Sequence, residues 1–177
     1  MRRSLSLLAS VVYLLAVGCT DSTNTDGSGV TQVVSIESDQ DQIAVGEESV
    51  FYIDFDFDEN EVYFEGGAVN LVVRLPAALS YLMYSAEVNE YGSADNSVDP
   101  YIVRCGNGSS YLVFSLDDND LDEAYSPNDA EAQLKMTLVG RRPGYQVMVQ
   151  ATADDGLVQF GCEEDFVADE SEAVIVY

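Results

Sequence analysis

Between residues 50 and 58 the chain alternates apolar and polar positions. Phe51, Ile53, Phe55 and Phe57 fall on one side, and Tyr52, Asp54, Asp56 and Asp58 on the other. A period of two turns one set toward a core and the other toward water, as in a half-buried β-strand. Residues 69–75 repeat the pattern with Val69, Leu71, Val73 and Leu75. Further short β-rich runs occupy 31–36, 81–88, 101–105, 111–116, 132–139, 145–153, 157–162 and 173–177. Gly66-Gly67, Gly106-Asn107-Gly108, Arg142-Pro143-Gly144 and Asp154-Asp155-Gly156 supply turns between most of them. No amphipathic helix longer than about two turns and no internal repeat interrupts this punctuation. About seven to ten short strands in roughly 150 residues predict an all-β fold, an antiparallel β-sandwich.

The first 29 residues break the pattern. Arg2 and Arg3 precede an apolar stretch over 5–17, which is short for a membrane span and suits the core of an export signal. The stretch ends in Leu15-Ala16-Val17-Gly18-Cys19, followed by Thr20-Asp21. This resembles the bacterial lipoprotein signal, in which small residues precede a cysteine that is lipidated and becomes the mature N-terminus. Ala16 stands where that signal usually has Leu; the alternative is an ordinary secretory signal with a chance cysteine. The resemblance implies a diacylglyceryl group on Cys19 and, in diderm bacteria, a third acyl chain. Each buried CH₂ adds about 0.8 kcal/mol, so two or more chains anchor firmly. Thr20 is not the Asp that favours inner-membrane retention, which implies the outer membrane where the organism has one. Residues 20–29 carry no large apolar side chain and read as a flexible tether. The expected organisation is a signal peptide over 1–18, lipidated Cys19 and tether over 19–29, and one β-sandwich domain over 30–177.

Within that domain, the runs AVGEESVFYIDFDF (44–57), NLVVRLPAALSYL (70–82), LVFSL (112–116) and AQLKMTLVGRRPGYQVMVQATADDG (132–156) resemble bacterial immunoglobulin-like extracellular modules. The DUF11-type repeats are similar, with a "VG" turn before one strand and an "LP-x-x-L" step closing another. Cohesin-like sandwiches share the broad pattern. The resemblance implies an immunoglobulin-like sandwich and carries over no catalytic residue.

The chain has three cysteines. With Cys19 taken by lipid, Cys105 and Cys162 remain for a disulfide in an oxidising envelope. The loop they would close predicts roughly 4 kcal/mol of stabilisation on the chain-entropy model. Two unrelated buried thiols are the alternative. A metal or nucleophilic role lacks a histidine partner.

Composition then narrows the function classes. The chain of 177 residues has 32 Asp and Glu against 7 Lys and Arg, a formal charge of -25, and no His or Trp. Loss of Arg2 and Arg3 with the signal takes the charge to -27. Such acidity repels nucleic-acid phosphates and anionic lipid head groups. The missing histidine removes Ser-His-Asp and Cys-His schemes and His-ligated zinc. At 47% apolar residues, with 11 Tyr and 7 Phe, the chain has enough material for a core.

Asp118, Asp120 and Asp122 have the i, i+2, i+4 spacing of calcium loops, with Asp129 at the twelfth position. Glu123 occupies the place where an EF-hand needs Gly, and 111–116 reads as strand rather than helix, so an EF-hand is rejected. A looser calcium site between sandwich loops stays open beside a merely solvated acidic loop. Asp54, Asp56, Asp58, Glu59 and Glu61 form a second acidic set, either cation-binding or an exposed face kept soluble and protected from edge pairing. Glu163, Glu164, Asp165, Asp169 and Glu170 read as loop surface. Carboxylate pairs suited to glycoside hydrolysis carry no signal where acids are this numerous. Tyr81, Tyr84, Tyr91 and Tyr101 could line a binding patch or serve as core and rim, and Arg141-Arg142 reads as a charged turn. The leading expectation is a non-enzymatic, membrane-anchored envelope lipoprotein that binds or scaffolds an envelope or surface protein, facing the periplasm or exposed on the surface. A calcium-dependent adhesion module is the alternative, and a carboxylate-dependent hydrolase ranks last.

Overall fold

A computed structural model of the chain describes residues 30–58, 62, 67–90, 95–121, 131–154, 161–162 and 166–177. Two sheets face each other across one core. The first contains β1 (Gln32–Ser38), β3 (Glu48–Asp56), β5 (Leu79–Tyr81), β6 (Glu87–Glu90), β7 (Asn96–Ser97) and β10 (Glu131–Gly140). Its order is β1-β3-β10-β6-β7, with β5 also on β10. The second contains β2 (Gln42–Ile43), β4 (Val69–Leu75), β8 (Tyr101–Arg104), β9 (Ser110–Leu116), β11 (Gly144–Asp154) and β12 (Glu170–Val176). Its order is β2-β12-β11-β4-β9-β8. Pairings are antiparallel throughout, except that β2 runs parallel to β12. The fold is an immunoglobulin-like β-sandwich with twelve strands among the described residues.

The alternation seen in the sequence builds this core. Phe51, Ile53 and Phe55 of β3 are fully buried with Leu134, Met136 and Leu138 of β10. Leu71, Val73 and Leu75 of β4 and Leu112, Phe114 and Leu116 of β9 join the same cluster from the second sheet. Burying one such side chain contributes about 1.5–3 kcal/mol, so this shared layer dominates the stability of the fold.

Three departures from the sequence reading have physical causes. Residues 81–88 are not one strand: β5 ends at Tyr81, β6 starts at Glu87, and Tyr84 between them has φ 62. That left-handed conformation costs a non-glycine residue about 1–2 kcal/mol and breaks the extended run. Thr137 of β10 holds the detour, its carbonyl accepting from Leu82 N at 3.0 Å and its N–H donating to Ser85 Oγ at 3.0 Å. Second, β3 lies between β1 and β10, so its acidic face protects no sheet edge. Third, β2 and β7 have two residues each, too short to show a period.

Chain direction gives the sandwich two distinct ends. Gln32, where β1 begins, pairs with Asp56, which pairs with Glu131, all at one end. At the opposite end lie the links β2–β3, β4–β5, β8–β9 and β10–β11. Gly140 marks the closeness of the packing there, because a Cβ on it would sit 2.6 Å from the Ala44 carbonyl oxygen.

Candidate functional site

Cys105 and Cys162 form a disulfide across a separation of 57 residues, with Cα atoms 5.3 Å apart. Cys105 follows β8 directly, and Cys162 belongs to a segment that returns over the outer face of the second sheet. On that face Val72 of β4 and Tyr111 of β9 are buried with Cys105, and Val103, Val113 and Phe166 pack against them. The Phe166 ring meets Tyr111 edge-on at 5.5 Å, and Tyr111 Oη donates to the Gly161 carbonyl at 3.3 Å. The disulfide thus clamps a small second core outside the main one. Phe166 was not singled out in the sequence, although it is the aromatic residue within an acidic run, which was its signal.

Asp118 and Asp120 lie in the turn after β9; Asp122, Glu123 and Asp129 lie outside the described residues, as does Cys19. The turn's carboxylates engage their own neighbours. Asp117 Oδ1 accepts from Asn119 N at 2.8 Å and from Asn119 Nδ2 at 3.2 Å. Asp118 Oδ1 accepts from Asn119 Nδ2 at 3.0 Å, and Asp120 Oδ2 accepts from Asp117 N at 3.2 Å. The Asn119 backbone N–H, followed by its side chain, holds the Asp117 carboxyl below the ordinary carboxylate range. Leu121, fully buried, pins the turn to the core. Among the described residues no group of three or more acidic or cysteine side chains converges to hold a metal ion.

The acidic face of β3 is structured by neutral donors. Ser35 Oγ donates to Asp54 Oδ2 at 2.7 Å, and Gln133 Nε2 donates to Asp54 Oδ1 at 2.8 Å. Two pairs along the register, Asp56 stands opposite Glu131, and both line a recess of about 130 Å³ with Val34, Asp54 and Phe55. Val34 is displaced by a bulge between Val33 and Ser35. Glu59 and Glu61 lie outside the described residues. Lys135 on β10 pairs with Glu87 on β6 at 3.0 Å, and that contact raises the lysine pKa. At about 40% exposure such a pair contributes a few tenths of a kcal/mol.

Asp169 is exposed in the bend before β12, as the loop-surface reading has it, and carries a structural role besides. Its Oδ2 accepts from Val33 N of β1 and from Ala153 N of β11, each at 3.0 Å. One carboxylate therefore ties the first sheet to the second; Glu163, Glu164 and Asp165 lie outside the described residues.

The tyrosines divide. Tyr81 is buried and its Oη accepts from Ala86 N at 3.1 Å, with burial the main cause of its raised pKa. Tyr84 and Tyr101 are exposed, and Tyr91 lies outside the described residues. The arginine turn is more elaborate than its sequence implies. Arg141 Nε donates to Ser80 Oγ at 2.6 Å, and Arg142 Nε donates to the Ala77 carbonyl at 2.9 Å.

The class of molecule this defines is an immunoglobulin-like sandwich with a disulfide-clamped flank. No protein-family model matches the chain, and no curated protein sequence matches it. Solved structures do. The major pilin SpaA of Corynebacterium diphtheriae is 18% identical with a TM-score of 0.54, covering 83% of this chain and 37% of that one. The fimbrial protein FimP of Actonomyces oris is 11% identical with a TM-score of 0.51, covering 84% of this chain and 36% of that one. At these identities the similarity is one of fold, and this chain spans little more than a third of either pilus protein. AvmM, which catalyses macrocyclization in alchivemycin A biosynthesis, is 10% identical over 81% of this chain and 88% of that one, with a TM-score of 0.43, too low to argue from.

Proposed function

We propose that this protein is a non-enzymatic envelope lipoprotein, held at the membrane through Cys19, whose sandwich binds or scaffolds another envelope or surface protein. The observation that carries the reading is the polarity of the domain. Residue 30 enters at one end, and the four links β2–β3, β4–β5, β8–β9 and β10–β11 gather at the other. A chain anchored at Cys19 and spaced by the tether over 20–29 would present those links away from its membrane. The pilus proteins SpaA and FimP supply precedent for this fold in surface structures.

A covalently cross-linked pilin is a poorer match. SpaA is described with stabilizing isopeptide bonds. The one lysine of this chain, Lys135, carries its Nζ 3.0 Å from Glu87 Oε2 on a solvent-facing strand surface, where the ion pair keeps the amine protonated. Its covalent tie among the described residues is the disulfide.

Metabolic labelling with an alkyne-bearing fatty acid tests the anchor. Wild-type protein is expected to take the label and to fractionate with the envelope, and Cys19→Ala to do neither. An unlabelled wild-type chain refutes lipid anchoring, and robust turnover of a glycan or peptide, abolished by one carboxylate substitution, refutes the non-enzymatic reading.

A further inference from the structure

We infer that the end of the sandwich opposite residue 30 is a docking surface for an acidic patch on a partner protein. This rests on the binding-module reading above and adds to it the surface and the chemistry of its partner.

Four of the five basic residues of the domain are arginines, and three of them, Arg104, Arg141 and Arg142, lie exposed at this end. Arg104 ends β8, and the other two form the β10–β11 link. The links are contiguous. Gly46 N donates to the Gly140 carbonyl at 2.8 Å, Arg141 N to the Ala78 carbonyl at 2.8 Å, and Arg142 Nε to the Ala77 carbonyl. Arg142 also reaches the β8–β9 turn, for a Cβ on Gly108 would lie 2.8 Å from Nη2. Glycine at 108, with φ +86, therefore gives the guanidinium its place.

In a chain with 32 acidic residues, these three arginines form no ion pair among the described residues, whereas the lysine does. Arg141 and Arg142 are oriented instead by a hydroxyl and a carbonyl, which fix direction without forming an ion pair. The nearby Glu47 turns its carboxylate back onto Ala44 N at 3.0 Å. Around the arginines, Tyr145 is 78% and Val45 49% exposed. Arginine and tyrosine with an apolar neighbour is the composition enriched where proteins meet, and guanidinium groups bind carboxylates in paired geometry. Screening over about 8 Å at physiological salt lets a partner feel this end separately from the acidic body. The body in turn repels an acidic partner that approaches from any other side, which orients the encounter.

The test titrates the ¹⁵N-labelled full chain with a synthetic peptide of alternating Glu and Tyr, and in parallel with polygalacturonate and inorganic polyphosphate. Saturable amide shifts are expected at Val45, Arg141, Arg142 and Tyr145 with the peptide. The triple variant R104Q/R141Q/R142Q, which keeps the side chains long and polar, is expected to weaken binding about tenfold or more. No peptide binding, shifts located elsewhere, unchanged affinity in the variant, or tighter binding of either non-protein polyanion would each overturn the proposal. Photo-crosslinkers at Tyr145 and Tyr101 in intact cells separate the two levels of the argument. Capture from Tyr101 alone sinks this docking surface and leaves the binding-module reading standing, whereas capture from neither position sinks both.

Discussion

Replacing Cys105 and Cys162 together by serine isolates what the covalent clamp contributes. The bond spans 57 residues, and a crosslink of that length removes enough unfolded-state entropy to stabilise the native state by about 4 kcal/mol. For a domain of roughly 150 residues each kcal/mol moves Tm by about 2–4 °C, so the double variant should melt roughly 10 °C lower. The outer core it covers makes a smaller, separable contribution. Phe166 is half-buried and packs edge-on against Tyr111, so Phe166→Ala with the bond intact should cost about 1–2 kcal/mol, below the 3–5 typical of a fully buried phenylalanine. Urea and thermal unfolding followed by circular dichroism measure both variants. A double variant that loses less than about 1 kcal/mol would refute the clamp argument. So would Phe166→Ala costing as much as the double variant, since packing rather than the tie would then hold the segment.

Gly140→Ala would press a Cβ to within 2.6 Å of the Ala44 carbonyl, between two links that cannot easily separate. Overpacking of this kind costs about 1–3 kcal/mol, read as a lower urea midpoint. Asp117 should titrate below the ordinary carboxylate range in a ¹³C-carboxyl NMR experiment, because Asn119 N–H holds its charged form. Its folded pKa is depressed, so its contribution is present above the unfolded value and fades as pH falls through the folded one. For Lys135, whose pKa is raised by Glu87, the contribution is present below the unfolded value and is lost as pH rises through the folded one. Lys135→Met should change stability by less than about 1 kcal/mol, given the exposure of the pair. Millimolar calcium should leave Tm unchanged, since Asp117, Asp118 and Asp120 already accept hydrogen bonds within their own turn; a clear rise would favour the adhesion alternative.

Where the signal was local, it was legible in the sequence. The period of two over 69–75 marks β4 to the residue, and the runs at 111–116, 132–139 and 145–153 each fall within a longer strand. Their ends extend because ladder hydrogen bonds continue through residues such as Glu131, Gly140 and Asp154, whose side chains give no apolar signal. Pairing was not legible. Nothing local distinguishes an edge strand from a central one, so the sequence admits a role in edge protection for the acidic face of β3 that its central place removes. Nor does alternation reveal a strand covered on both faces: Val72 is buried outside the main core only because the segment holding Cys162 and Phe166 folds over it.

The same distinction explains the charge. Counted along the chain, acidity excludes partners and names none. Placed on the fold, it separates into carboxylates with structural roles and arginines without an acidic partner among the described residues. Asp54 is held by Ser35 and Gln133, Asp117 by Asn119, and Asp169 by two strands of different sheets. Arg141 and Arg142, adjacent in sequence and unremarkable as a turn, meet β5 and the β8–β9 hairpin respectively only after the sandwich closes. A functional surface assembled from four separate links leaves no motif in one dimension. What betrays it is the mismatch between abundant acids and guanidinium groups held by neutral oxygens, a contrast that requires both the composition and the geometry.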